Sequence, residues 1–150
     1  METIRRILLV EDDPKDVELT LNALSEYNLA NEVVVARDGV EALDYLYRRE
    51  TFSSRPEGNP VVILLDLKMP KMDGIQVLKR LKSDALMRLI PVVIITSSRE
   101  DRDLEECYRL GVNAYVVKPV RFTDFVEAVK RIGAFWVLLN EPPRDGVKRP

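Results

Sequence analysis

Five short apolar runs recur along this chain, each separated from the next by an amphipathic stretch. The runs are Ile7–Val10, Val33–Ala36, Val61–Leu65, Val92–Ile95 and Ala114–Val117. They are rich in Val and Ile and show no polar alternation, which marks strands buried on both faces of a parallel sheet. Between and after them, apolar residues return at helical spacing: Val17, Leu21 and Leu24; Val40, Leu43 and Tyr47; Val77, Leu78 and Leu81; Leu104, Cys107 and Tyr108; and Phe122, Phe125, Val126, Val129 and Ile132. Helix punctuation agrees. Asp13 precedes Pro14 as a cap precedes a first-turn proline. Asp38 with Glu41, and Ser98 with Asp101, read as capping pairs, Asp73 before Gly74 as a further cap, and Gly111 as a helix stop. The pattern predicts an α/β fold, a doubly wound parallel sheet of (βα)5 order with helices on both faces. Thr51–Pro60 reads as a surface loop and Asn140–Pro150, with three prolines, as an irregular tail.

Composition narrows the chemistry. The chain has 150 residues, fitting one domain. It carries 23 Lys plus Arg against 25 Asp plus Glu, a formal charge of −2, which gives no support to nonspecific nucleic-acid binding. There is one Cys and no His. A disulfide framework, a His/Cys zinc site and a Ser-His or Cys-His catalytic pair are therefore excluded, and any metal must take oxygen ligands, as Mg²⁺, Mn²⁺ and Ca²⁺ do. The N-terminus lacks a signal-peptide pattern. The longest apolar run, Ala134–Leu139, is far short of the roughly 20 residues of a membrane helix. A cytoplasmic protein without membrane association is expected.

The unusual polar residues fall at the carboxyl ends of the expected strands. Glu11, Asp12 and Asp13 follow the first, Asp66 the third, Thr96 and Ser97 the fourth, and Lys118 the fifth. Open α/β sheets bind ligands at this edge, and the first and third strands flank the switch point of the flavodoxin-like order 2-1-3-4-5. Clustered carboxylates repel unless a cation or protons intervene. A carboxylate nucleophile, a metal, a lysine and a hydroxyl are together the parts for phosphoryl transfer to an aspartate. Asp13 and Asp73 read as helix caps, and Cys107 as a core thiol.

The stretches Ile7-Leu-Leu-Val-Glu-Asp-Asp13, Leu64-Leu-Asp-Leu-Lys-Met-Pro-Lys-Met-Asp-Gly74, Ile95-Thr-Ser97 and Tyr115-Val-Val-Lys-Pro119 resemble the receiver domain of two-component response regulators, over about Ile4 to Ile132. The resemblance implies that Asp66 is the phosphoacceptor, with Thr96 and Lys118 completing the catalytic set. It implies Mg²⁺ held by Glu11, Asp12, Asp66 and the backbone carbonyl of Lys68, and a cis bond between Lys118 and Pro119. Thr96 and Tyr115 become the switch pair. The segment before the third strand and the ending Phe135-Trp-Val-Leu-Leu-Asn-Glu-Pro-Pro143 further resemble stand-alone receivers that serve bacterial and cyanobacterial phytochromes.

Without His, the chain cannot supply its own phosphohistidine, so the expected donor is a histidine kinase, a bacteriophytochrome in the narrower resemblance. Only 18 residues follow Ile132, so no output or DNA-binding domain is expected after the receiver. Residues 1–133 are expected to form the receiver and 134–150 a C-terminal extension that makes a homodimer arm. Its unbroken apolar run lacks the polar face of a surface helix, although Trp136 also continues the stripe from Val129 and Ile132. Two other classes fit less well. A haloacid-dehalogenase-type phosphatase carries an Asp-x-Asp pair, whereas Leu67 and Lys68 follow Asp66, and a nucleotide hydrolase lacks its G-x-x-x-x-G-K-[ST] loop. A receiver that works without phosphorylation would have a broken acceptor or metal site, and none is visible. The chain thus reads as a phosphoacceptor, not an enzyme acting on other substrates.

Overall fold

The structure is a computed structural model describing residues 5–143. Its elements run β1 (Ile7–Val10), α1 (Pro14–Ser25), β2 (Val33–Ala36), α2 (Gly39–Leu46), β3 (Val62–Leu65), α3 (Gly74–Lys82), β4 (Val92–Thr96), α4 (Asp101–Arg109), β5 (Ala114–Val117) and α5 (Phe122–Gly133). All five strands are parallel, in the order β2-β1-β3-β4-β5. The expected architecture is therefore the observed one.

Alternate strand residues feed two cores. Leu8, Val10, Ile63, Leu65, Val92 and Ile94 pack against α2, α3 and Cys107 of α4. Ile7, Leu9, Val62, Leu64, Val93 and Ile95 pack against Val17 and Leu24 of α1 and Phe125 and Val129 of α5. The period of two along each strand makes both faces apolar, which is why the runs lack polar alternation. Strands β1, β3 and β4 are wholly buried, while the edge strand β5 is only half-buried.

Three caps sit where the sequence puts them. Asp13 accepts from the Lys15 amide at 2.9 Å, Asp38 from the Glu41 amide at 2.8 Å, and Asp73 and Gln76 cap each other reciprocally. Gly111, at φ +88°, ends the α4 region in the left-handed conformation. The Ser98–Asp101 pair is a correction. Helix α4 begins after Glu100, and the Ser98 hydroxyl donates instead to the Asp103 carboxylate at 2.5 Å. The hydroxyl oxygen accepts from the Glu100 amide at 3.4 Å, within the turn before the helix. With Asp103 and Cys107 inward, one turn apart, Leu104 and Tyr108 rotate outward and are exposed.

Two further segments differ from simple expectation. The 51–60 loop is organised around Arg55, whose guanidinium donates to the carbonyls of Tyr45, Leu46, Pro56 and Gly58 and lies over the Tyr45 ring. Helix α5 does not stop at Gly133 but passes into π-helical turns over Ala134–Leu139. Phe125, Val129, Gly133 and Val137 are all buried, one step of four residues after another. Arg5 donates to the Val137 carbonyl at 2.8 Å. Phe135, Leu138 and Leu139 point outward, the last 75% exposed. The end of the proline-containing tail, residues 144–150, lies outside the described residues.

Candidate functional site

Strand polarity and register bring the site together. Parallel pairing leaves the carboxyl ends of β1, β3, β4 and β5 at one edge, where Glu11, Asp12, Asp66, Thr96 and Lys118 emerge. Backbone bonds continue the ladder one residue beyond the strands and fix where these side chains start. The Glu11 amide donates to Ala36, the Asp66 amide to Val10 and the Lys118 amide to Thr96, at 2.9, 3.1 and 2.7 Å. The helix after Asp66 also presses on it. A Cβ at Gly74 would lie 2.3 Å from the Asp66 carbonyl oxygen, so only glycine permits the approach.

Glu11, Asp12 and Asp66 each offer a carboxylate oxygen, and these lie within 4.8 Å of one another. This cluster can coordinate a divalent metal through hard oxygen ligands. Among the described residues it is the one group of three or more potential metal-ligating side chains. Asp66 Oδ1 accepts from the Leu67 amide at 2.7 Å, orienting the carboxylate. The other oxygen, Oδ2, faces Lys118 Nζ at 3.2 Å. Lys118 also contacts Glu11 at 2.6 Å and Asp16, from the first turn of α1, at 2.7 Å.

Charge in this buried cluster is unequally shared. Burial pushes the Glu11 carboxyl up to about 7, against the opposing Lys118 hydrogen bond and with the nearby Asp66 charge adding to the rise. Burial alone would lower Lys118, but the hydrogen bonds it donates to Asp16 and Glu11 and the charge of Asp66 hold its ammonium above the usual lysine range. One ammonium divided among several carboxylates does not offset Glu11 burial, whereas several carboxylates around one ammonium do secure its charge.

The switch candidates occupy connected positions. Thr96 is fully buried, and its hydroxyl accepts from the Ser98 amide at 3.3 Å. Tyr115 donates to the Ser98 carbonyl at 3.2 Å. The Lys68 side chain turns away from the cluster to Asp103, 3.2 Å off. Among the described residues no peptide bond is cis, so the Lys118–Pro119 bond is trans, contrary to expectation. Asp16, Ser98 and Asp103 were not singled out for this region by sequence reasoning. Asp16 gave one signal, as an acid in the first turn of a helix leading from the acidic strand end, but that position equally suits the helix dipole.

The response regulator receiver domain model matches residues 7–130. The chain belongs to that family. Receiver domains are phosphoacceptor modules, and this one has its acidic cluster poised for metal-assisted phosphotransfer. A curated relative, a probable methanogenesis regulatory protein, FilR2, from Methanothrix harundinacea, is 38% identical over 91% of this chain and 86% of its own. The phosphorylated cyanobacterial phytochrome response regulator RcpA superposes with a TM-score of 0.87 at 37% identity, covering 94% of this chain and 99% of that one. The bacteriophytochrome response regulator AtBRR is 58% identical over 93% of this chain and 100% of that one, with a TM-score of 0.73. Among the described residues no helix is long and apolar enough to cross a membrane.

Proposed function

We propose that the chain is a response regulator receiver in which Asp66 accepts a phosphoryl group from the phosphohistidine of a partner kinase. The carrying observation is the buried junction of Asp66 with Glu11, Asp12 and Lys118 at one sheet edge. Asp66 Oδ2 attacks phosphorus as the donor's phosphorus–nitrogen bond breaks, and the electron pair of that bond leaves on the imidazole. Glu11, Asp12, Asp66 and the Lys68 carbonyl are the proposed Mg²⁺ ligands. Bound there, the ion neutralises charge on the transferring group. Lys118 holds a phosphoryl oxygen, and the Thr96 hydroxyl turns toward another.

That movement frees Tyr115 to rotate from the Ser98 carbonyl and change the surface of β4, β5 and α4. The phosphoryl group supplies the differential contact that shifts the population. Comparing metal-free and beryllofluoride-bound crystal structures tests the switch: Thr96 and Tyr115 should both move, and unchanged positions of the two would refute it.

A bacteriophytochrome as kinase is supported by the 58% identity to AtBRR over nearly the whole chain. We assign residues 1–133 to the receiver and 134–150 to an extension that makes a homodimer contact. Phe135, Leu138 and Leu139 support it as an exposed apolar group on one short segment. Because Val137 belongs to the core, surface substitution is a cleaner test than truncation. Leu138→Glu with Leu139→Glu should turn a dimer into a folded monomer in sedimentation, and a wild-type monomer at tens of micromolar, on the order of a typical assay, would refute the contact. Incubation with acetyl phosphate tests the phosphoacceptor reading: one phosphoryl group should be gained with Mg²⁺ and none without it.

A further inference from the structure

Lys118 must act on a phosphoryl group at Asp66, yet its resting contacts are uneven. Its ammonium is 2.6 Å from Glu11, 2.7 Å from Asp16 and 3.2 Å from Asp66. An ammonium has three donors, and these three carboxylates account for them. Two of the three have another use. Glu11 and Asp66 belong to the cluster that can take a divalent cation, and Asp66 is the proposed acceptor. Asp16 lies outside that cluster, and no other side chain bonds its carboxylate among the contacts described.

We propose that Asp16 is a positioning residue for phosphoryl transfer: its carboxylate anchors the Lys118 ammonium beside Asp66 while Glu11 and Asp66 exchange their partners. This rests on the proposed role of Asp66 and Lys118.

Asp16 is built to be such an anchor. It stands in the first turn of α1, whose start is fixed by the Asp13 cap and by Pro14. The Thr20 hydroxyl, buried one turn on, donates to the Asp16 carbonyl at 2.7 Å. Val17 beside it is buried in the core. The Asp16 side chain is 23% exposed and that of Lys118 12%, so the pair is shielded from much of the solvent that weakens surface ion pairs. The contact spans 102 residues of sequence and ties the α1 helix to the strand end of β5. Without it, a long flexible ammonium must be held by the same carboxylates that metal and phosphoryl group claim. Lys118 would then compete with the cation for Glu11 and Asp66 or leave the site.

Beryllofluoride binding in saturating Mg²⁺, followed by calorimetry, reads this directly. Asp16→Asn should weaken it about tenfold, the scale of one lost charge-assisted hydrogen bond. Asp16→Glu should recover part of the loss. Asp16→Asn should add nothing when Lys118→Gln is already present, because the anchor acts through Lys118. In metal-free protein, the Lys118 ammonium protons should exchange with water faster in Asp16→Asn, while the urea midpoint stays near wild type. Unchanged or tighter beryllofluoride binding by Asp16→Asn overturns the inference. So does an equal loss in the Lys118→Gln background, which would mark a general charge effect. If Lys118→Gln itself binds as wild type does, the proposed role of Lys118 fails first and takes the anchor with it.

Discussion

Gly74→Ala isolates the steric condition that sets Asp66 in place. A Cβ at this position would stand 2.3 Å from the Asp66 carbonyl oxygen, 2.8 Å from Leu67 Cα and 3.1 Å from the Asp66 carbonyl carbon. All three atoms are backbone, so no side-chain rotamer can relieve the clash. Reaching an ordinary carbon–oxygen contact of about 3.3 Å takes roughly 1 Å of movement. Overpacking of this kind costs about 1–3 kcal/mol. Alanine returns up to about 1 kcal/mol of helix propensity, less at the first helical residue. The net loss should be on the order of 2 kcal/mol, a thermal midpoint about 4–8 °C lower for a chain of this length. The displaced backbone carries the Asp66 carboxylate with it, so phosphoryl labelling by acetyl phosphate should fall too. Gly111→Ala is the control. It meets only the end of the Lys82 side chain at 3.8 Å but is strained at φ +88°, so it should lose stability and keep its labelling rate. A Gly74→Ala protein as stable as wild type, or one that labels at the wild-type rate, would refute the reasoning.

Two other outcomes follow from the charges and the core. Glu11, pushed up to about 7 by burial, binds a proton in the folded state that the unfolded chain has lost above pH 4.5. Stability in chelator should therefore fall as pH rises from 4.5 through 7, by on the order of 3 kcal/mol at most. The chain has no His to titrate in that window, so Glu11→Gln should flatten the slope, and an unchanged slope would contradict the assignment. Cys107 is fully buried, with burial pushing its thiol up to about 11. It should resist iodoacetamide at pH 8 when folded and react in urea; rapid modification of the native protein would argue against a core thiol.

The strands were legible because burial on both faces leaves nothing polar within them, and parallel connection then carries their ends to one edge. Glu11, Asp12, Asp66, Thr96 and Lys118 could be placed together from that alone, since each ends a strand or lies within two residues of a strand end. Helix faces were less legible. On α4 the inner positions are Asp103 and Cys107, and a buried carboxylate held by Ser98 defeats a count of apolar residues. The reach of Asp16 to Lys118 was hidden for another reason. It depends on how α1 leans over the end of β5, a tertiary relation that no local pattern records. The 134–139 run has no polar face because Val137 turns into the core while Phe135, Leu138 and Leu139 turn out.

The most direct test of the central claim is to locate the phosphoryl group. After acetyl phosphate treatment in Mg²⁺, borohydride reduction of the acyl phosphate converts the modified aspartate to homoserine, which peptide mass spectrometry assigns to one position. The prediction is conversion at Asp66 alone, absent without Mg²⁺ and absent in Asp66→Asn. Conversion at Asp12, or equal labelling of Asp66→Asn at another carboxylate, would contradict it.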